Sequence, residues 1–204
     1  MTLPNKLGLT DPMALARAEE RISKRRAVEL FESGELDALE PGTFAALSTI
    51  HRRLFGEIYD FAGEVRAVNL AKGHFRFASV LYLRAAIAGV EKMPQSTFGE
   101  IIEKYVEMNV AHPFREGNGR AMRIWLDQMC KHALGRVVDW SRVDREEYLL
   151  AMERSPVRDT EIRLVLEAAL TDRVNDRELF MKGIDHSYAY EGYAAFQAKD
   201  LRSP

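Results

Sequence analysis

Apolar residues recur at helical spacing along most of the chain. Asp11 followed by Pro12 supplies an N-cap with proline at the first helical position. The stretch from Pro12 to Glu32 is helical by composition, and Gly34 stops it. Its charge-rich middle (Arg17, Glu19, Glu20, Arg21, Lys24, Arg25 and Arg26) predicts a solvated face or an oligomer contact. Thr43 caps a second helix through Leu54, with Ala46, Leu47, Ile50 and Leu54 on one apolar face. Ser96 or Thr97 opens a third, passing Ile101, Ile102, Tyr105 and Val106 towards Ala111. Another follows Gly119, with Met122, Trp125, Leu126, Met129 and Ala133 on one side. Asp139 to Met152 and Asp159 to Leu170 predict two more, and a last helix is expected over about 185–197.

One stretch breaks this rhythm. From Gly63 to Phe77 the sequence reads GEVRAVNLAKGHFRF. Phe75, Arg76 and Phe77 alternate as a strand would, and Lys72-Gly73 is a turn signal between two short extended runs. The earlier half alternates imperfectly, since neither the Val65, Ala67, Asn69 set nor the Arg66, Val68, Leu70 set is cleanly apolar. A small β-hairpin over about 63–77 is the expectation. The fold class is therefore all-α with one small hairpin.

Composition narrows the function. The 204 residues are 47% hydrophobic and 29% charged, which suits a single soluble domain, 1–204, with a sizeable core. The lone Cys130 excludes an internal disulfide framework and a cysteine-based zinc cluster, and is expected to be a small buried apolar residue. A formal net charge of −2 offers no global field for nucleic acid or an anionic membrane. The longest apolar run, Val80 to Val90, carries Arg84 and falls short of the roughly 18 residues of a spanning helix. The first 25 residues lack the apolar region of a secretory signal, so a cytoplasmic location is expected.

Residues 112–123 carry the chemistry: HPFREGNGRAMR. Pro113 disfavours helical geometry at His112, so the preceding helix should end there. Gly117, Asn118 and Gly119 then form a tight loop that feeds a helix. Such a loop points free N–H groups outward and adds the positive end of the helix dipole, which makes an anion site. Arg120 and Arg123 lie three apart and share a face. Three arginines and one glutamate here, in a slightly acidic chain, favour a ligand with several negative charges, best a polyphosphate. His112 can accept a proton near neutral pH. Glu116 is a hard oxygen ligand suited to Mg²⁺, which binds through one or two carboxylates plus substrate phosphates. No GxxxxGK[ST] loop, complete GxGxxG fingerprint or HExxH motif is present. His51, His74, His132 and His186 lack matching partners and are assigned to structure or surface.

The segment resembles the Fic family, whose motif HxFx[D/E]GNGRxxR is matched at all eight specified positions. The resemblance runs from the second helix to the tail and does not place the first 25 or so residues. It implies a mostly helical Fic domain that transfers AMP from ATP to a hydroxyl of a target protein, with the hairpin as a flap that aligns the target by strand addition. On this resemblance His112 is the general base, Phe114 anchors the loop, and Glu116 holds Mg²⁺. The amides of Gly117, Asn118 and Gly119 cradle the phosphates, with Arg120 at the β-phosphate and Arg123 at the γ-phosphate. Ser187 to Gly192 matches [S/T]xxxE[G/N], the family's inhibitory signature, and resembles the class that carries its inhibitory helix in its own tail (class III). Glu191 would then pair with Arg123, with Ser187 on the same helical face. For compact bacterial members a type II topoisomerase subunit such as gyrase B is the implied target. Two rival readings are a related Fic enzyme that removes AMP or transfers another phosphate group, and a nucleotide-sensing module without catalysis. The target and the oligomeric state, a homo-oligomer included, stay open.

Overall fold

The computed structural model describes residues 2–73 and 75–201, so the assignment of His74 lies outside the described residues. Helices dominate, and most of them start where a capping side chain can satisfy the first amides. Asp11 accepts from Ala14 N at the head of α1 (Pro12–Glu32), and Thr43 accepts from Ala46 N at the head of α3 (Phe44–Phe55). A short α2 (Glu35–Ala38) links them. Thr97 and Glu100 form a reciprocal capping box that opens α5 (Phe98–Ala111). The run Val80 to Val90 becomes α4 (Val80–Glu91), capped by Ser79.

The central element is α6 (Asn118–Leu134), which packs on α3 and α5 and carries fully buried Met122, Trp125 and Leu126. Cys130 is buried on the same helix. Around this core α1 lies on α3, and α7 (Arg145–Arg154) pairs with α8 (Thr160–Glu167). The last helix, α9 (Arg177–Ala189), packs on α1 and α6. No helix among the described residues is long and apolar enough to cross a membrane.

Four expectations need correction. First, the hairpin is smaller than 63–77: only β1 (Ala71–Lys72) and β2 (Phe75–Arg76) pair, antiparallel. In the earlier half Arg66 turns inward instead: its side chain is buried and its amide donates to Pro113 O at 2.8 Å, while Ala67, Val68 and Asn69 stay exposed. Second, the two helices expected over Asp139 to Met152 and Asp159 to Leu170 are present with different bounds, as α7 and α8. A 3₁₀ turn (Trp140–Arg142) precedes α7, and α8 stops at Glu167 so that β4 (Leu170–Thr171) can pair with β3 (Val137–Val138).

Third, the last helix is α9, not 185–197. Asp176 caps it by accepting from Leu179 N, well before the expected start. It ends at Ala189 because Tyr193 N turns back to Tyr188 O and Gly192 adopts φ 90°, a left-handed geometry open to glycine. Fourth, the middle of α1 is not a solvated face. Arg17 and Arg21 are exposed, but Glu19, Glu20 and Lys24 are buried.

Those three buried charges receive the chain that follows α9. Glu20 accepts from Ala195 N (3.1 Å) and Phe196 N (3.0 Å). Lys24 pairs with Glu20 and Asp185 at 3.0 Å each and donates to Phe196 O at 2.7 Å. Removing one partner of a buried pair costs about 3–5 kcal/mol. For a domain of this size each kcal/mol lowers the melting temperature by about 2–4 °C. Lys24→Ala is therefore expected to lower the melting temperature by on the order of 10 °C and to speed proteolysis of the segment after Ala189. A melting curve that stays within about 2 °C of wild type would show that the pair adds no net stability.

Candidate active site

The turn between α5 and α6 is fixed from several directions. Pro113 prevents His112 from continuing α5, and His112 takes φ 51°, ψ 64°, the left-handed region. Phe114 is fully buried, stacked on His51 at 3.9 Å between ring centroids. Asn118 locks the turn with its carboxamide: Phe114 N donates to Oδ1 and Nδ2 donates to Phe114 O, each at 2.8 Å. Gly117 has φ 74°, and a Cβ there would lie 2.5 Å from the Phe55 ring, so only glycine fits. Helix α6 starts directly after it, with its N-terminal amides at the turn.

His51 supports the turn from below. Gly63 N donates to Nδ1 at 2.9 Å, so Nε2 carries the proton and donates to Glu116 O at 2.8 Å. Burial lowers its pKa to about 3, against the Glu116 carbonyl, which favours the charged form. The structural role expected for this histidine is the one observed.

His112 stacks on Phe77 of the hairpin at 3.7 Å, and its Nδ1 lies 3.3 Å from Asn109 O. Burial lowers its pKa to about 4. The Asn109 carbonyl and Glu191 oppose that shift, while Arg66 and Lys72 add to it. The ring is neutral at physiological pH. With Nδ1–H directed at Asn109, Nε2 is left as a proton acceptor.

The two arginines at the start of α6 are buried and face carboxylates. Arg120 donates from Nη1 to Glu19 Oε1 at 2.6 Å and from Nη2 to Glu116 Oε1 at 3.1 Å, and its Nε lies 2.7 Å from Glu191 Oε2. Arg123 donates from Nε to Ser187 Oγ (2.6 Å) and from Nη2 to Ser187 O and Glu191 Oε1 (2.8 Å each). Burial opposes the Glu191 charge, but Arg120 and Arg123 outweigh it and hold its carboxyl below the usual range. The Glu191 carboxylate sits close over Gly119, where a Cβ would lie 2.6 Å from its Oε1.

Glu116 accepts from Gly117 N at 2.9 Å as well as from Arg120. Burial raises its pKa against the pull of Arg120 and Gly117. Its side chain is 40% exposed, so it remains accessible to an ion. No group of three or more His, Cys, Asp or Glu among the described residues is placed to hold a metal alone. A single accessible carboxylate suits Mg²⁺, which takes its remaining ligands from water and phosphate.

His112, Glu116, Gly117, Asn118, Gly119, Arg120, Arg123, Ser187 and Glu191 thus meet at one place. The amide of Gly117 is taken by the Glu116 carboxylate, and the Asn118 side chain is a staple within the loop. Glu19, which the local pattern did not single out, accepts from Arg120, from Tyr59 Oη and from Tyr193 Oη (3.0 Å). A signal was present: Glu19 lies four residues after Leu15 and three before Ile22, on the buried stripe of α1. Arg66 was missed as well, for want of any periodic pattern around it.

A helical domain that presents HPFREGNGRAMR at the head of its central helix is a Fic domain. The chain belongs to the Fic/DOC family, whose profile matches residues 41–130. It is 30% identical over 180 residues to the probable protein adenylyltransferase Fic of Salmonella typhimurium, covering 82% of this chain and 87% of that protein. It is 28% identical over 215 residues to the protein adenylyltransferase VbhT of Bartonella schoenbuchensis, covering 93% of this chain but only 44% of VbhT. The fold is similar to that of the BepC protein of Bartonella tribocorum, solved with bound AMPPNP, at a TM-score of 0.68 and 21% identity over 84% of this chain and 93% of that one.

His51 gives the site a pH signature. Its folded pKa is about 3, below the 6.5 of an unfolded histidine, so the unfolded chain binds the proton first. Stability from this group is whole above about pH 6.5 and is lost as pH falls towards 3, by about 1.4 kcal/mol per pH unit. His51→Gln is expected to flatten the slope of unfolding free energy against pH by about one proton between pH 6 and 4, measured by urea denaturation. An unchanged slope would contradict the neutral, buried state of this ring.

Proposed function

We propose that the chain is a Mg²⁺-dependent protein adenylyltransferase that moves AMP from ATP to a hydroxyl of a target protein and is self-inhibited by its C-terminal segment. One observation carries this reading: the Glu191 carboxylate bridges Arg120 and Arg123 at the head of α6, so an internal anion sits where a polyphosphate would bind. The adenylyltransferase relatives support the activity.

In this mechanism the target hydroxyl oxygen attacks the α-phosphorus, and the bond from that phosphorus to the bridging oxygen of pyrophosphate breaks in line. His112 Nε2 takes the hydroxyl proton as the new bond forms. Arg120 and Arg123 bind the outer phosphates and offset charge on the leaving pyrophosphate. Bound through Glu116, Mg²⁺ would neutralise phosphate charge. The hairpin aligns the target segment beside His112. While Glu191 and Ser187 hold Arg123, the γ-phosphate has no ligand there, and the enzyme rests.

Labelled ATP incubated with cell lysate, followed by mass spectrometry of labelled proteins, tests the reading. Glu191→Gly is expected to raise labelling about tenfold or more, since a net bias of about 1.4 kcal/mol already shifts the competent population tenfold. Arg123→Ala should not activate, because it removes the phosphate ligand along with the inhibitory partner. His112→Ala in the Glu191→Gly background should lower labelling by about 10²–10⁴-fold while leaving ATP binding nearly intact. A Glu191→Gly protein no more active than wild type across a dilution series would refute self-inhibition. Labelling that survives His112→Ala at full rate would refute the base assignment.

A further inference from the structure

Arg66 has no place in the motif and lies outside the phosphate site, yet it is 5% exposed. Its charge is met by backbone carbonyls. Nε donates to His112 O at 2.7 Å, Nη1 to Val68 O at 2.6 Å, and Nη2 to Ala78 O at 2.6 Å and Ala111 O at 3.1 Å. Its own amide donates to Pro113 O at 2.8 Å.

These acceptors fall into two groups. Ala111, His112 and Pro113 form the turn that presents the His112 ring. Val68 and Ala78 are the two feet of the hairpin, one before β1 and one after β2. Both feet and the turn therefore share a single guanidinium. The connection continues on the far side: Ala78 N donates to Val110 O at 3.0 Å, and Phe77, its neighbour, stacks on His112. A planar fork with five donors can reach carbonyls in several directions at once, whereas a lysine ammonium has three donors at one point.

We propose that Arg66 is a positioning residue that clamps the hairpin to the catalytic turn and so sets the place of an aligned target strand relative to His112. This rests on the reading of His112 as base and of the hairpin as the target-docking strand. The clamp acts through backbone on both sides, so the side-chain identity of the hairpin can vary with the target while its distance from the base stays fixed. Nucleotide binding does not pass through it, because none of its acceptors belongs to residues 116–123.

The test uses the full chain with Arg66→Lys and Arg66→Met, each alone and in the Glu191→Gly background. Hydrogen–deuterium exchange followed by mass spectrometry should show amides in 68–80 and 110–113 exchanging about tenfold faster or more in Arg66→Lys, with α1, α3 and α6 unchanged. Calorimetric ATP affinity should stay within about twofold. Labelling of lysate proteins in the Glu191→Gly background should fall about tenfold or more, and more in Arg66→Met than in Arg66→Lys. If Arg66→Met does not fold, Arg66→Lys decides. Wild-type exchange in both segments overturns the clamp. Loss of ATP affinity in proportion to labelling overturns it too, because that is the mark of a general fold support. The exchange result does not depend on activity, so full labelling by His112→Ala would remove the base assignment and leave the clamp to be judged on exchange alone.

Discussion

Two buried guanidiniums organise this molecule. Arg120 and Arg123 open the central helix with almost no contact with solvent, and a buried cation is tolerated only when anions or dipoles compensate it. The compensation comes from three parts of the chain, two of them distant: Glu19 from α1, Glu116 from the adjoining turn, and Ser187 with Glu191 from the end of α9. The first helix and the tail are thus drawn to the same point as the motif. Residues outside 41–130, the span of the family profile, complete the electrostatics of residues inside it.

The turn that holds these charges is rigid for reasons that reinforce one another. Proline stops α5, a left-handed His112 redirects the chain, Phe114 plugs the core, and the Asn118 carboxamide ties both ends together. His51 and Arg66 then fix the turn's carbonyls from opposite sides, at Glu116 and at His112. The proposed anion site needs such stiffness, because its value lies in groups that do not have to reorganise when charge arrives.

The site was largely legible because its information is local. Proline, the Gly117-Asn118-Gly119 run and two arginines within twelve positions state a conformation and lead to the proposal of an anionic ligand. Helices with strong caps, at Asp11, Thr43 and Thr97, were legible for the same reason. What escaped is non-local. Glu19, Glu20 and Lys24 read as a wet face because charge on a helix is usually solvated, and only the arrival of Arg120 and the tail buries them. The end of α9 was misplaced because Ala195 and Phe196 give their amides to Glu20, a competitor more than 170 residues away. The inward turn at Arg66 likewise depends on carbonyls near position 112 that no pattern within the segment announces.

Glu19 accepts at one oxygen from both Arg120 and Tyr193, so α1 touches the head of α6 and the tail through a single carboxylate. Any anion that takes the two guanidiniums must displace Glu191 and work against everything that holds the tail, the Tyr193 bond included. Thermodynamic reciprocity then follows. Whatever factor the docked tail takes from the apparent affinity for that anion, the bound anion takes from the docking of the tail. Under the proposed self-inhibition, ligand concentration and tail release are two readings of one equilibrium, and a partner that merely captured the freed tail would sharpen the affinity for the anion without touching the site.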